Sequence, residues 1–233
     1  MPVYFLNESI SFPPPQLAES SGLLAIGGDL SSSRLLLAYS MGIFPWYSEG
    51  QPILWFSPEP RLILYPEKFS PGRSLKKLVR KGIFDVKFDN DFEGVINCCA
   101  NVMRKYQEKT WITGEMIDAY IALHDRGYAH SVETYHDGTL VGGLYGVSLG
   151  GAFFGESMFH KTSNASKVAL YYLVKKCLYW NFDFIDSQVP TEHMKRMGSE
   201  EVSRDEFLDR LSEALEKQSK TGKWNINSDN RYF

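Results

Sequence analysis

Glu156, Asp186 and Gln188 are polar residues in otherwise apolar stretches, and their types suit acid–base or acyl-transfer chemistry. Because side chains alternate along a strand, residues two positions apart project from the same face. This spacing predicts that Phe154, Glu156 and Met158 share one face of one strand, and that Asp186 and Gln188 share one face of another. If the two strands are neighbours, the three polar groups converge at the bottom of an apolar pocket. The sequence therefore predicts an active site there.

Residues 141–188 contain the elements that must position these side chains. Glycine, β-branched and aromatic residues open this block, and they predict two paired strands that turn at residues 149–151. Asn164 is a predicted N-cap for a helix that runs to about Trp180. Residues 182–189 then predict a further strand.

The composition favours a globular protein with one main core. The chain has 233 residues, of which 43% are hydrophobic and 23% are charged. The net charge is −3, so contact with a nucleic acid requires a local basic face and cannot depend on the bulk charge.

Cysteine and histidine usage argues against a disulfide framework and against a metal site. Cys98, Cys99 and Cys177 form no Cys-x-x-Cys pair, and the five histidines show no ligand spacing. The N-terminus lacks a basic region followed by an apolar run, and no stretch of about 18 apolar residues occurs. These features predict a cytoplasmic protein that is neither exported nor membrane-spanning.

A basic helix is predicted over residues 74–81, closed by Gly82. Its cations follow helical spacing onto one face without an intervening acid. They are Arg73, Lys76, Lys77, Arg80 and Lys81. A solvated helix face and a contact with a phosphate backbone both explain such a run.

Two further segments leave alternatives open. Residues 43–60 are rich in aromatic residues and proline, and they suit either a small core or a stacking wall for a base or ligand ring. Residues 22–30 (GLLAIGGDL) suit a phosphate loop only weakly, because the lysine and the following Ser or Thr of a P-loop are absent. A helix is predicted to start after Ser31 as N-cap and to stop at Gly42.

The remaining patterns predict scaffold elements. An amphipathic helix is predicted from Phe92 to Tyr106, with Met103 on its apolar face, and a second helix from Thr113 to Arg126. A strand over residues 129–135 follows, and Ser203 opens a capping box for a C-terminal helix. The polar residues after 217 predict no defined structure.

Helices followed by three strands, a helix and a further strand is the element order of a GNAT-type acyltransferase domain. Seven motifs, in the same order along the chain, resemble those of the leucyl/phenylalanyl-tRNA–protein transferase family. They occupy residues 22–30, 42–46, 54–61, 110–113, 155–159, 164–167 and 185–188. The chain departs from the family pattern at Phe56, where a second tryptophan is usual, and at Ser187, where cysteine is usual.

The resemblance implies an α+β fold, in which a GNAT-like acyltransferase domain with a mixed sheet flanked by helices (residues 61–233) follows a small N-terminal domain (residues 1–60). It implies an enzyme that moves leucine or phenylalanine, with methionine as a third candidate, from aminoacyl-tRNA to the N-terminal arginine or lysine of a protein. The product carries a degradation signal of the N-end rule. The implied partners are Leu-tRNA, Phe-tRNA and such acceptor proteins, with no metal, cofactor or membrane.

The resemblance also assigns roles to residues of the predicted site. Asp186 and Gln188 fall on the catalytic pair, Glu156 on an acid that lines the acceptor site, and Trp46 and Trp111 on aromatic residues near the tRNA 3′ end. A donor with an unbranched Cβ requires a narrow apolar pocket, and the candidate wall residues are Phe153, Met158, Leu170 and Ile185. The basic helix is the candidate contact for the tRNA backbone.

The ester of an aminoacyl-tRNA is already activated, so the enzyme needs chiefly to position a neutral amine. A carboxylate is a weak base for an ammonium group, so we expect Asp186 to orient Gln188 by accepting from its amide. Two alternatives remain at this point. An acyl-CoA-dependent GNAT enzyme is disfavoured because residues 159–164 contain no glycine for a pyrophosphate loop. A non-catalytic RNA-binding module leaves the Asp186 and Gln188 pairing without a purpose.

Overall fold

The computed structural model describes residues 3–102 and 111–225, which form two β-sheets and their flanking helices. The smaller sheet contains β1 (Tyr4–Leu6), β2 (Leu23–Gly27), β3 (Phe44–Pro45) and β4 (Leu54–Phe56), in the order β1-β2-β4-β3. The helix α1 (Ser32–Ser40) connects β2 to β3. The aromatic-rich residues 43–60 therefore contribute β3 and β4 to this sheet. In it, Trp55 is fully buried and donates its indole N–H to the Gly27 carbonyl.

In the 22–30 motif, the second glycine of the pair Gly27-Gly28 leaves space for the side chain of Arg34. A side chain at Gly28 would place its Cβ 3.1 Å from the Arg34 guanidinium, which is itself fully buried. Nε and Nη2 of Arg34 donate to Oδ2 of Asp29 at 3.2 and 3.1 Å. The motif thus makes room for an ion pair between a buried arginine and a half-exposed aspartate, and this use of glycine differs from the phosphate loop considered above.

The larger sheet has seven strands in the order β11-β5-β10-β9-β8-β7-β6. Its strands are β5 (Arg61–Leu64), β6 (Asp85–Phe88), β7 (Ala129–His136), β8 (Thr139–Leu149), β9 (Ala152–His160), β10 (Phe184–Asp186) and β11 (Glu200–Val202). The pairing of β9 with β10 is parallel and the other pairings are antiparallel, so the sheet is mixed.

Helices cover both faces of this sheet. They are α2 (Gly72–Arg80), α3 (Phe92–Asn101), α4 (Gly114–Asp125), α5 (Ala165–Tyr179), α6 (Glu192–Arg196) and α7 (Arg204–Leu215). One core layer contains apolar residues of α3, α4 and α7, and the other contains those of α2 and α5. The succession of α3 and α4, three strands, α5 and β10 confirms the fold class and the element order expected for a GNAT-type domain.

Several local signals gave the correct boundaries because each is a short-range hydrogen-bonding pattern. Ser31, Thr113 and Ser203 each accept a backbone N–H three residues ahead, at the starts of α1, α4 and α7. The predicted turn at residues 149–151 joins β8 to β9. Asn164 precedes α5 as predicted, but it has a left-handed φ of 67° and makes no side-chain cap.

Other expectations were wrong or incomplete. The strand predicted over residues 182–189 is limited to Phe184–Asp186. The helix predicted to reach Tyr106 ends at Asn101, and Met103 and Tyr106 lie outside the described residues. The strands β1, β2, β6 and β11 had no periodicity strong enough to predict them, because each is only three to five residues long.

The domain boundary placed at residue 60 remains a prediction. The two sheets lie on either side of it, but one core cluster contains Leu24 and Trp55 of the first sheet together with Ile63 and Phe154 of the second. No described helix combines the length and the apolar character that crossing a bilayer requires.

Candidate active site

A cavity of about 380 Å³ opens where β10 stops pairing with β9. The two strands are paired only from Ala152 to Phe154 of β9, and β9 then continues to His160 beyond the end of β10. The separation leaves space between the second half of β9 and the chain that follows Asp186. The cavity wall is mostly apolar, and Glu156 and Gln188 are among its polar groups.

Most of the predicted site residues line this cavity. The predicted wall residues Phe153, Met158, Leu170 and Ile185 all do so, as do Glu156, Gln188, Trp46 and Trp111. Trp46 is 38% exposed and packs edge-on against Phe56, the position at which the family usually has tryptophan. Asp186 is the exception, because it is fully buried and is not part of the cavity lining.

A β-bulge at Glu156 places its side chain. In the β8–β9 ladder Tyr145 pairs with Ser157 and Gly146 pairs with Gly155, so Glu156 is an extra residue on β9. A bulge reverses the alternation of side chains along a strand. Phe154 and Met158 therefore pack in opposite core layers, so the prediction that all three residues share one face was wrong for Met158. Tyr120, which bonds Glu156, lies in the core layer of Phe154.

Asp186 forms a buried ion pair with Arg61. Nε of Arg61 donates to Oδ1 of Asp186 at 2.9 Å, and Nη2 donates to Oδ2 at 2.6 Å. The Arg61 guanidinium also donates to the Gly42 carbonyl and lies 4.3 Å from the centroid of the Phe207 ring. The sequence analysis did not assign a role to Arg61. The sequence did contain a signal, because Arg61 is a charged residue at the start of the otherwise apolar strand β5.

Gln188 has an unusual backbone conformation, with φ of 54°. This left-handed region is uncommon for residues other than glycine and is costly unless neighbouring contacts impose it. The backbone N–H of Gln188 donates to Oδ1 of Asp186 at 2.9 Å, and its carbonyl accepts from Leu62 at 3.1 Å. The predicted hydrogen bond from the Gln188 side-chain amide to Asp186 is therefore wrong, since the backbone makes it. Gln188 also lies outside β10, so the alternation of a strand does not relate its side chain to that of Asp186.

The side chain of Gln188 bonds Glu156 instead. Its Nε2 donates to Oε1 of Glu156 at 2.9 Å, and the Tyr120 hydroxyl donates to Oε2 at 3.0 Å. The hydroxyl of Tyr39 forms a short hydrogen bond with that of Tyr120. Four residues thus form one hydrogen-bonded chain, which the sequence analysis missed because Tyr39 and Tyr120 are distant in sequence and resemble ordinary core residues.

Burial raises the pKa of Glu156 to about 7, although the hydrogen bonds from the two tyrosines oppose this effect. The carboxyl group is therefore partly protonated at neutral pH while the cavity holds no cation. Burial also raises the pKa values of Tyr39 and Tyr120 well above the ordinary value, so both remain hydroxyl donors. The result is a site whose charge depends on what enters the cavity.

Four cations of the basic helix lie on α2 and the fifth, Lys81, is its C-cap; all five are exposed. None of them pairs with a carboxylate of residues 3–102 or 111–225. The helix packs against α5, which contributes Leu170 and Leu173 to the cavity wall. Another polar cavity residue, His193, has its pKa lowered by burial and by the nearby cations Lys167 and Arg196. The described residues contain no cluster of three His, Cys, Asp or Glu that could hold a metal ion.

Comparison with known proteins identifies the family. A model described as leucyl/phenylalanyl-tRNA protein transferase matches residues 63–212, and a model of the N-terminal domain of the same enzymes matches residues 28–59. A protein of that name from Desulfatibacillum aliphaticivorans is 55% identical over 99% of both chains. One from Myxococcus xanthus is 52% identical, over 96% of this chain and 97% of its own.

Among solved structures, a GCN5-related N-acetyltransferase from Kribbella flavida is similar with a TM-score of 0.39 and 11% identity, over 77% of this chain and 63% of that chain. The family name denotes an aminoacyltransferase that moves leucine or phenylalanine from aminoacyl-tRNA to a protein. This activity decides against the acyl-CoA-dependent and the non-catalytic alternatives. The chain therefore belongs to the leucyl/phenylalanyl-tRNA–protein transferase family.

Proposed function

We propose that this chain joins leucine or phenylalanine, delivered as Leu-tRNA or Phe-tRNA, to the N-terminal arginine or lysine of a protein. The observation that carries the proposal is an apolar cavity with the buried carboxyl group of Glu156 in its lining. The donor side chain is apolar and matches the apolar cavity wall, whereas the acceptor side chain is cationic and matches the carboxyl group of Glu156. The proposed location is the cytoplasm, where aminoacyl-tRNA is made.

The donor side chain occupies the apolar part of the cavity. Phe153, Met158, Leu170 and Ile185 supply walls without a hydrogen-bonding group, which suits leucine and phenylalanine. Trp46 and Trp111 lie in the same lining, where a flat ring can stack on the terminal adenine. The exposed cations of α2 hold the tRNA backbone, because unpaired lysine and arginine side chains attract phosphates without reading sequence.

The acceptor side chain pairs with Glu156. A buried carboxylate is unfavourable alone, and a guanidinium or ammonium group that enters the cavity supplies the missing charge. Tyr120 and Gln188 already occupy one hydrogen-bonding position on each carboxylate oxygen, and each oxygen can accept another donor. Glu156 is thereby fixed in place before the acceptor arrives.

The reaction is acyl transfer by a positioned amine. The nitrogen of the acceptor forms a bond to the ester carbonyl carbon, the ester C–O bond breaks, and the ribose oxygen leaves as a hydroxyl while the amine loses a proton. The side-chain carbonyl of Gln188 makes no hydrogen bond to any described residue, so it is available to accept from the attacking amine. Asp186 does not act as the base, because Arg61 and the Gln188 backbone engage its oxygens.

Asp186 and Arg61 are thus positioning residues for Gln188. The left-handed turn at Gln188 requires an acceptor at Oδ1 of Asp186, and the two-point contact with Arg61 fixes that oxygen. Lysine cannot reproduce a planar two-point contact. The Gln188 amide is therefore expected to depend on Arg61 although the two side chains do not touch.

A direct assay tests the proposed activity. Purified protein with radiolabelled Leu-tRNA and a peptide that begins with arginine should yield labelled peptide, whereas the N-acetylated peptide should yield none because it lacks the amine. Ile-tRNA should react about 10-fold more slowly or worse, because its branched Cβ misfits a narrow pocket by about 1–3 kcal/mol. Equal labelling of the acetylated peptide, or equal rates with Ile-tRNA and Leu-tRNA, would refute the assignment.

Charge reversal on α2 tests the tRNA contact. Lys77→Glu with Arg80→Glu should raise the KM for aminoacyl-tRNA several-fold and flatten its dependence on salt, with turnover at saturation retained. The matched control is Lys68→Glu with Arg210→Glu, since these exposed cations already pair with Glu200 and Glu206. Both double variants change the net charge by the same amount. A similar rise in KM for the control pair would therefore contradict a specific contact between the basic helix and tRNA.

The acceptor site is predicted to be pH-dependent. Because Glu156 has a pKa of about 7, it is protonated at lower pH and must lose that proton to pair with the acceptor cation. The Kd for an arginine peptide should therefore rise by about 10-fold for each pH unit below 7 and level off above 7. Glu156→Gln should bind the peptide weakly and without this dependence between pH 5.5 and 7.

Glu133→Gln provides the matched control for this pH profile. Glu133 is buried and its pKa is also raised to about 7 by burial, but it is not part of the cavity lining. The Kd of this variant should keep the pH dependence of the unmodified protein. If Glu133→Gln flattened the profile and Glu156→Gln did not, the acceptor role would belong elsewhere.

Arg61→Lys tests the positioning of Gln188. Turnover should fall on the order of 10²-fold, while the KM values for tRNA and peptide change little. Gln188→Ala should have an effect of similar size, and the double variant should be no slower than the slower single one, because both act on one group. Additive losses would contradict this arrangement.

Arg34→Lys is the matched control for Arg61→Lys. Arg34 is equally buried and bonds Asp29 through Nε and Nη2, but it lies on α1 and does not line the cavity. The Arg34→Lys substitution should lower the free energy of unfolding without a selective loss of turnover. A comparable loss of turnover in Arg34→Lys would mean that Arg61 acts only through stability.

A further inference from the structure

The C-terminal segment, residues 217–225, crosses the larger domain as an irregular strap. Lys217 bonds the Asn181 carbonyl and the Asp183 carboxylate at 2.9 and 2.6 Å. Ser219 accepts from the backbone of Gly150, and the N–H of Gly222 donates to the Gly127 carbonyl. These contacts fix the course of a polar segment for which the sequence predicted no structure.

The strap ends by burying Trp224, which is 3% exposed. Its indole stacks on the imidazole of His130, with ring centroids 3.8 Å apart and planes at 11°. Oδ2 of Asp89 accepts from Nδ1 of His130 at 2.8 Å and from the backbone N–H of Trp224 at 2.7 Å. One buried carboxylate therefore holds both stacked rings. Lys176 donates to the carbonyl of Asn225 at 2.6 Å, immediately after the tryptophan.

Trp224 also contacts Phe153, a wall residue of the cavity. The two ring centroids are 5.9 Å apart. Phe153 also packs against Gly146, where an added Cβ would be only 2.6 Å from Cε1 of the Phe153 ring. His130 pairs with Gly146 across the β7–β8 ladder, so the stacked rings lie over the neighbouring strand. The Phe153 ring is therefore confined by two contacts, one with the Gly146 backbone and one with the indole.

We infer that Trp224 is a positioning residue that sets the depth of the donor pocket by holding Phe153 in place. The inference rests on the proposed function, in which this cavity receives the donor side chain. Trp224 itself does not line the cavity, so it acts through Phe153. The matching family model ends at residue 212, and the strap lies beyond it.

The confinement has a direct consequence for donor choice. A phenyl ring next to an empty space the size of an indole can move away from the cavity, and interiors that lose a large side chain relax only in part. The pocket then becomes deeper and less well filled by leucine than by the longer phenylalanine. A loss of general stability, by contrast, affects both donors by the same factor.

The test compares kcat/KM for Leu-tRNA and Phe-tRNA with an arginine peptide as acceptor. In Trp224→Ala the kcat/KM for Phe-tRNA divided by that for Leu-tRNA should rise about 10-fold. This is the size of effect expected when a pocket is misfitted by about one methylene group. Trp224→Phe keeps an aromatic ring and should shift the ratio in the same direction by a smaller factor. Equal losses for both donors in a folded Trp224→Ala, or an unchanged ratio in Trp224→Phe if the alanine variant does not fold, would overturn the inference.

Two controls separate this inference from its premises. Phe182→Leu alters a buried ring in the same cluster that contacts Trp224 but does not line the cavity, and the donor ratio should stay unchanged. A shift as large as that of Trp224→Ala would indicate general loosening and would also overturn the inference. Leu170→Ala alters the wall directly and should change the ratio. If it does not, the proposed donor pocket fails, whatever Trp224 does.

Discussion

The buried ion pair between Arg61 and Asp186 is the interaction on which the site depends most. Removing one member of such a pair leaves an uncompensated charge in the interior and costs about 3–5 kcal/mol. Arg61 also bonds Gly42, which follows α1, and packs on Phe207 of α7. The position of Asp186 is therefore set jointly by the N-terminal sheet region, β5 and the C-terminal helix. Because Asp186 bonds the backbone of Gln188, the N-terminal region contributes to the geometry of the proposed site without lining much of the cavity.

The hydrogen bonds that link Tyr39, Tyr120, Glu156 and Gln188 stabilise an acid in an apolar cavity. Buried polar groups need hydrogen-bond partners, and a hydroxyl can donate to a carboxylate or accept from a carboxylic acid. The Tyr39 and Tyr120 hydroxyls can therefore satisfy Glu156 in both protonation states. The carboxyl group does not need a cation in order to be stable, but at neutral pH it becomes fully charged only when a cation arrives. A neutral acceptor side chain gains nothing from such a site.

Much of the fold and most of the named residues that line the cavity could be predicted, because they depend on local patterns and on ordered motifs. Helix caps at Ser31, Thr113 and Ser203 are short-range, and the apolar wall follows from the strand and helix that carry it. The polar geometry could not be predicted, because the bulge at Glu156 and the left-handed Gln188 break the alternation on which the prediction relied. Arg61 and Trp224 were missed for another reason. Their partners lie 125 and 135 residues away in sequence, and only the folded sheet brings them together.

The irregularities lie at the proposed reaction site. Regular pairing of β9 with β10 would close the sheet, and regular alternation would place Met158 in the same core layer as Phe154. The early end of β10 opens a gap, the bulge turns Met158 toward the other core layer, and the side-chain amide of the left-handed Gln188 bonds Glu156. Since an activated ester needs a positioned amine more than a strong base, small errors in these positions matter more than base strength. This requirement fits an arrangement in which Glu156 and Gln188 line the cavity and are held by Tyr120 and Asp186, which are buried and do not line it.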